Sequence, residues 1–182
     1  MSVFRTKPLR ISPATGLLVV NENVIKHTQR ALRAFGGGNG ERHEGLVFWA
    51  GKNIGTSSYV LAAIVPECEH EPFRVVASPS QMGDAARAAR KLGLGLISQI
   101  HSHPDSDTRH SDGDDVLVFM AYEGMFSLVV GNYGDGSCDP NKGGGLHQYQ
   151  NGEWVQVENA AAVFKIVPSR IEVDDDYSRR IL

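Results

Sequence analysis

The chain has 182 residues, 41% hydrophobic and 21% charged, a composition typical of a soluble globular protein long enough to bury one full core. A formal net charge of −3 argues against a nucleic-acid groove, so no nucleic-acid partner is expected. No apolar run is long enough to span a bilayer, no signal peptide opens the chain, and Cys68 and Cys138 are too few for a disulfide framework; the expectation is a cytoplasmic protein without a membrane segment.

Residues 1–14 read as an irregular arm or edge strand. Asn21 or Asn23 can cap a helix whose apolar face includes Val24, Ala31, Leu32 and Phe35, and the Gly36–Gly40 run ends it. Glu44 stands near the start of an apolar strand through Gly51, and Tyr59–Val65 reads as its neighbour. Phe73–Ala77 is a shorter strand. Ser78 and Pro79 are the N-cap and first position of a helix through Lys91, and Gly93 stops it. Leu94–Ile100 reads as a buried strand, Ser111 caps a helix from Asp112 to about Tyr122, and Met125–Val130 is another strand. The Gly-, Asp- and Asn-rich stretch from Tyr133 to Gly145 reads as a flexible loop. Asn151-Gly152 predicts a two-residue turn joining strands 146–150 and 153–157. The tail after Pro168 is expected to be exposed. This order predicts an α/β (α+β) fold, a mixed central sheet flanked by helices.

The chemistry concentrates after the Leu94–Ile100 strand, in His101-Ser102-His103-Pro104, with Ser111 and Asp114 following. Side chains on a strand alternate faces, so His101 and His103 point the same way. Asp114 offers a carboxylate in the first turn of the next helix, where the helix dipole favours negative charge. Two imidazoles and one carboxylate make three protein ligands and leave a fourth position for water, the pattern of a catalytic metal site. Nitrogen and oxygen ligation with an open position suits Zn2+, one per chain; either imidazole nitrogen can ligate. Such a site needs a proton acceptor that is not itself a ligand.

Glu44-Gly45 before an apolar strand, then His101-x-His103-Pro104, six residues, Ser111-x-x-Asp114, resembles the JAMM motif of the JAB/MPN metalloproteases. The stretch His43–Gly51 is most similar to stand-alone prokaryotic JAB domains. The resemblance spans about residues 15–165 and implies a JAB/MPN (cytidine-deaminase-like) domain over 15–167, between an N-terminal arm (1–14) and a C-terminal tail (168–182). It implies Glu44 as the general base that passes a proton to the leaving amine. It implies Ser111 as a hydrogen-bond donor to the developing oxyanion, a kind of contact worth roughly 3 kcal/mol in hydrolases. The implied activity is a zinc-dependent isopeptidase that removes a ubiquitin-like protein from conjugates, in some prokaryotic relatives tied to antiviral defence. The alternative is processing of the tail of a sulfur-carrier protein. Either partner would present a C-terminal glycine tail, added beside a strand edge.

Each residue also has a plainer reading. Glu44 alone is an ordinary strand-start acid, and Ser111 has a sufficient role as a helix cap. Asp105, Asp107, Asp112 and Asp115 read as solvated loop and helix-surface charges, and His110 as exposed. Cys68 and His70 lack the partners for a second metal, and Cys138 is similar. His43 either supports the site or points away. Leu46, Phe48 and Trp49 read as core, whereas Phe73 and Val75 could serve either core or substrate. A non-catalytic MPN scaffold is disfavoured because all ligands are kept. A RadC-like protein fits Ser102 and Glu44 less well, and a non-haem iron oxygenase fits neither a separate Glu44 base nor the Ser111 spacing.

Overall fold

The structure, a computed structural model, describes residues 5–117 and 121–169. Its strands and helices, in chain order, are β1 (Ile11–Ser12), β2 (Leu18–Asn21), α1 (Glu22–Arg33), β3 (Leu46–Ile54), β4 (Ser57–Ile64), β5 (Glu69–Glu71), β6 (Arg74–Val76), α2 (Pro79–Lys91), β7 (Gly95–Ser102), α3 (Asp112–Leu117), β8 (Phe126–Val130), β9 (Gly145–Gln150), β10 (Glu153–Val157), α4 (Ala160–Val163) and β11 (Phe164–Val167). Nine strands form one mixed sheet in the order β1-β10-β9-β8-β7-β3-β4-β2-β11; β5 and β6 form a separate hairpin. β3 and β7 run antiparallel at the centre, and β7 and β8 run parallel.

The two faces of the sheet are buried by different helices. Along β3 the residues alternate: Val47 and Trp49 enter the larger core with Leu18, Leu32 and Ile100, while Leu46 and Phe48 pack with Val75, Met82 and Ala85. The first set lies under α1, whose Val24, Thr28 and Leu32 recur at one helical face. Thr28 Oγ1 accepts a hydrogen bond from Trp49 Nε1 at 2.8 Å, so the buried indole keeps a polar partner. The second set lies under α2, which buries Met82, Ala85 and Ala89. Asn21 caps α1 by accepting from Asn23 N, and Ser78 forms a full capping box with Gln81 ahead of Pro79. At the β9–β10 turn, Asn151 and Gly152 both adopt positive φ (53° and 85°), as a tight hairpin turn requires.

The fold departs from the sequence-based expectations in several places. Leu18–Asn21 and Phe164–Val167 are strands, paired in parallel with each other. The stretch 133–145, expected to be a flexible loop, contains 3-10 turns at Asn132–Gly134 and Pro140–Lys142 and is anchored inward by buried Cys138. It also meets α1 closely, since a Cβ on Gly134 would lie 2.7 Å from Leu32 Cβ. α3 is described to Leu117, and Ala121 and Tyr122 are not helical; residues 118–120 and the tail from residue 170 lie outside the described residues.

Candidate metal centre

The pairing of β3 with β7 brings the site together. Leu46 pairs with His101, Val47 with Ile100 and Phe48 with Gln99. Extending that register by two residues sets Glu44 opposite His103. Ser102 N donates to Gly45 O at 3.0 Å and Gly45 N donates to Ser102 Oγ at 2.8 Å, so the strands stay joined beyond the regular ladder. Directly paired residues share a face, so Glu44, His101 and His103 emerge together although 59 positions separate Glu44 from His103. Gly45 points to the opposite face, where a Cβ would come within 2.5 Å of the Phe35 ring; this close approach is the physical reason for glycine after Glu44.

His101, His103 and Asp114 place one ligand atom each within 4.8 Å of one another. His101 Nε2 lies 3.2 Å from His103 Nε2, His103 Nε2 lies 3.2 Å from Asp114 Oδ2, and His101 Nε2 lies 3.4 Å from Asp114 Oδ1. Bonds of about 2.0–2.1 Å to a tetrahedral metal put neighbouring ligand atoms about 3.3 Å apart, so the three residues fit a divalent ion. His103 Nδ1 is 2.8 Å from Asp107 O; a carbonyl accepts only, so Nδ1 carries the proton and Nε2 is left for the metal. The three side chains are nearly buried. Burial alone would raise the Asp114 carboxyl, but the His101 charge and hydrogen bonds from both histidines hold it far below the usual range. Burial is the largest single influence on His103 and opposes its charge, but the hydrogen bond and charge of Asp114, with Asp107 O and the Glu44 charge, together outweigh it and hold the imidazole above its ordinary value.

Glu44 is 8% exposed. Desolvation pushes its carboxyl up to about 7; His103 opposes the rise, and Asp114 and Asp105 add to it. A carboxyl poised there can take and return a proton near neutral pH. Ser111 and Asp114 cap each other: Asp114 N donates to Ser111 Oγ at 3.1 Å, and Ser111 N donates to Asp114 Oδ2 at 2.6 Å. The Ser111 oxygen thus accepts in the cap, which leaves its O–H to donate elsewhere.

Other polar residues near the site differ from expectation. His110, expected to be exposed, is fully buried. Its ring lies 4.2 Å from the His147 ring and 5.6 Å from that of His101. Its Nε2 is 2.9 Å from Ser127 Oγ and its Nδ1 is 3.1 Å from Asp115 Oδ1. Asp115, expected to be solvated, is half-buried and accepts from both His110 and Arg5. Burial pushes the His110 imidazole toward its neutral form. His43 points away from the three-ligand cluster, its Nδ1 2.8 Å from His70 Nδ1. Among the described residues no further His, Cys, Asp or Glu cluster fits a metal. The sequence does crowd five carboxylates into 105–115, a charge that calls for basic partners such as Arg5, but nothing local marks the burial of His110 itself.

The chain matches the family described as prokaryotic homologs of the JAB domain over residues 38–140. It is 30% identical over 115 residues to a protein of Sinorhizobium fredii named "Probable metalloprotease", covering 60% of this chain and 67% of that one. A solution structure of a Desulfitobacterium hafniense protein superposes with a TM-score of 0.61 at 15% identity, covering 87% of this chain and 96% of that chain. A Salinibacter ruber solution structure gives 0.53 at 15% identity, covering 85% and 95%. Both likenesses concern the fold. No helix of the described residues is long and apolar enough to cross a membrane. With residues 38–140 enclosing the acid, both histidines and the Ser111–Asp114 turn, the chain belongs to the family of prokaryotic JAB-domain homologs.

Proposed function

We propose that this protein is a zinc-dependent peptidase acting on the C-terminal glycine tail of a ubiquitin-like protein, either as an isopeptidase on conjugates or as a processing enzyme. The observation that carries the reading is Glu44: a buried, non-ligating carboxyl raised to about 7, facing the same side as the three ligands. A divalent ion held by His101, His103 and Asp114 supplies Lewis acidity, acidifying water and polarising a carbonyl. Glu44 accepts the proton of the attacking water and returns it to the departing amine nitrogen. The Ser111 O–H donates to the oxygen on which negative charge develops. His103, oriented by Asp107 O, and Asp114, fixed by the helix cap, hold their places without reorganisation.

The surroundings favour a narrow, extended substrate. A cavity of about 20 Å³ beside His101 and Asp114 is walled by Leu46, Phe48, Val75 and Met82. That volume admits little more than one water-sized group, which suits glycine and excludes larger side chains. The β5–β6 hairpin, which supplies Val75, forms its own two-stranded sheet, and Phe73 at its turn is 62% exposed. An extended tail could add along this hairpin by main-chain pairing.

The test uses Glu44→Gln. Metal content should stay near one per chain while turnover of a ubiquitin-like fusion falls by roughly 100-fold or more. A variant that keeps full turnover would place the base elsewhere, and one that loses its metal would make Glu44 a ligand. Loss of zinc from a His101→Ala/His103→Ala double variant tests the ligand set. Assays on a ubiquitin-like conjugate, a sulfur-carrier precursor and an unstructured peptide separate the substrate classes; equal rates on all three would indicate a general peptidase.

A further inference from the structure

We infer that Arg5 is a positioning residue: the N-terminal arm reaches across the molecule and pins the 110–115 turn, and through it Asp114 and the Ser111 hydroxyl. Arg5 Nη1 donates to His110 O at 3.0 Å and to Ser111 O at 3.3 Å, and Nη2 donates to Asp115 Oδ2 at 2.8 Å. Its Nε donates to Lys7 O at 2.9 Å, which fixes the side chain to its own backbone. Next to it, Thr6 N and Oγ1 each donate to Asp112 Oδ2 at 2.8 Å. The Arg5 side chain is only 17% exposed. These contacts join segments more than a hundred residues apart.

The turn needs such a partner for two physical reasons. α3 begins at Asp112 and Ala121 is not helical, so the helix falls short of the roughly 12 residues at which an isolated helix becomes even marginal in water. Its first turn also carries three carboxylates, Asp112, Asp114 and Asp115, which repel one another. The arm divides them: Thr6 engages Asp112, Arg5 engages Asp115, and Asp114 alone turns to His101 and His103. The planar guanidinium fork can span two carbonyls and a carboxylate, and the single ammonium of lysine cannot. The contact also reaches the rear of the site. Asp115 bonds His110 through its second oxygen, and the His110 ring packs beside metal-ligand candidate His101. Arg5 itself lies outside residues 38–140, which match the family.

The effect on turnover rests on the peptidase reading, but the clamp itself can be read without metal or substrate. Amide hydrogen exchange on metal-free protein should show the Asp114 and Asp115 amides, both bonded to Ser111, exchanging about tenfold faster in Arg5→Ala, with β8 amides unchanged. Arg5→Lys should not restore protection, and Arg10→Ala, which breaks the arm's separate ion pair with Glu153, should match wild type. Zinc release to a chelator should be about tenfold faster in Arg5→Ala, kcat should fall by a similar factor with KM unchanged, and low-millimolar methylguanidinium should reverse both. Wild-type exchange at Asp114 and Asp115 together with wild-type zinc release overturns the inference. If Arg5→Ala also loses β8 protection, Asp115→Asn replaces it: a local rise at Asp114 supports the clamp, and unchanged exchange overturns it. The exchange pattern in a protein that hydrolyses none of the tested substrates would leave the clamp standing and remove only the peptidase reading.

Discussion

Glu44 owes its proton affinity to burial more than to its neighbours' charge, and this has a measurable consequence in the metal-free protein. Its folded value, about 7, lies above the ordinary carboxyl value of 4.5. A raised value means that the folded state binds the proton more tightly. The associated stability is therefore complete below about pH 4.5 and is lost as pH rises through about 7. Glu44→Gln removes this dependence. Chelator-treated Glu44→Gln should match wild type near pH 4 and exceed it by about 3 kcal/mol at pH 8 in urea unfolding; parallel pH profiles would show that Glu44 is not desolvated. Ser111→Ala removes the cap of α3 and should cost about 1 kcal/mol of stability. It should lower turnover less than Glu44→Gln does, measured on the same fusion substrate. The residue types of the site were readable because acid, histidines, serine and aspartate occur at informative spacing. His110 was not, because a histidine in a polar stretch carries no sign that Ser127, His147 and Trp154 will enclose it.

At the scale of elements, the segment from Pro104 to His110 is shaped by what packs against it. A Cβ on Gly145, at the start of β9, would lie 1.9 Å from Thr108 O, a backbone atom that cannot step aside alone. The same segment supplies Asp107 O to His103. Gly145→Ala should therefore cost about 2 kcal/mol or more and weaken metal binding, checked by thermal unfolding and by zinc titration; an unchanged melting temperature would show that the segment yields freely. Elements with a local signal were legible. The capping box at Ser78 and the Asn151-Gly152 turn each rest on residues a few positions apart. β2 and β11 were not legible, because they are four-residue strands stabilised by parallel pairing with distant partners, and so short an apolar run has no period of its own.

Across the whole molecule, the candidate ligands come from two elements, His101 from β7 and Asp114 from α3, with His103 just beyond β7. A metal that binds only this folded arrangement stabilises it by mass action. Free zinc at about 100 times its dissociation constant should add about 2.7 kcal/mol, or roughly 5–10 °C in melting temperature for a chain of this size. Chelation should reverse the shift, and His101→Ala/His103→Ala should show none; identical shifts in that variant would mean that zinc binds elsewhere. The sequence by itself determined the mixed α/β class, both main helices, the central strands and the residues able to hold a metal, since these depend on period, caps and spacing within short windows. Only the tertiary structure decided that Glu44 faces His103, that His110 is buried and that Arg5 grips the turn bearing Asp114. Those facts depend on strand register and on contacts between segments far apart in sequence, where pairing energy is set by which surfaces meet rather than by any local pattern.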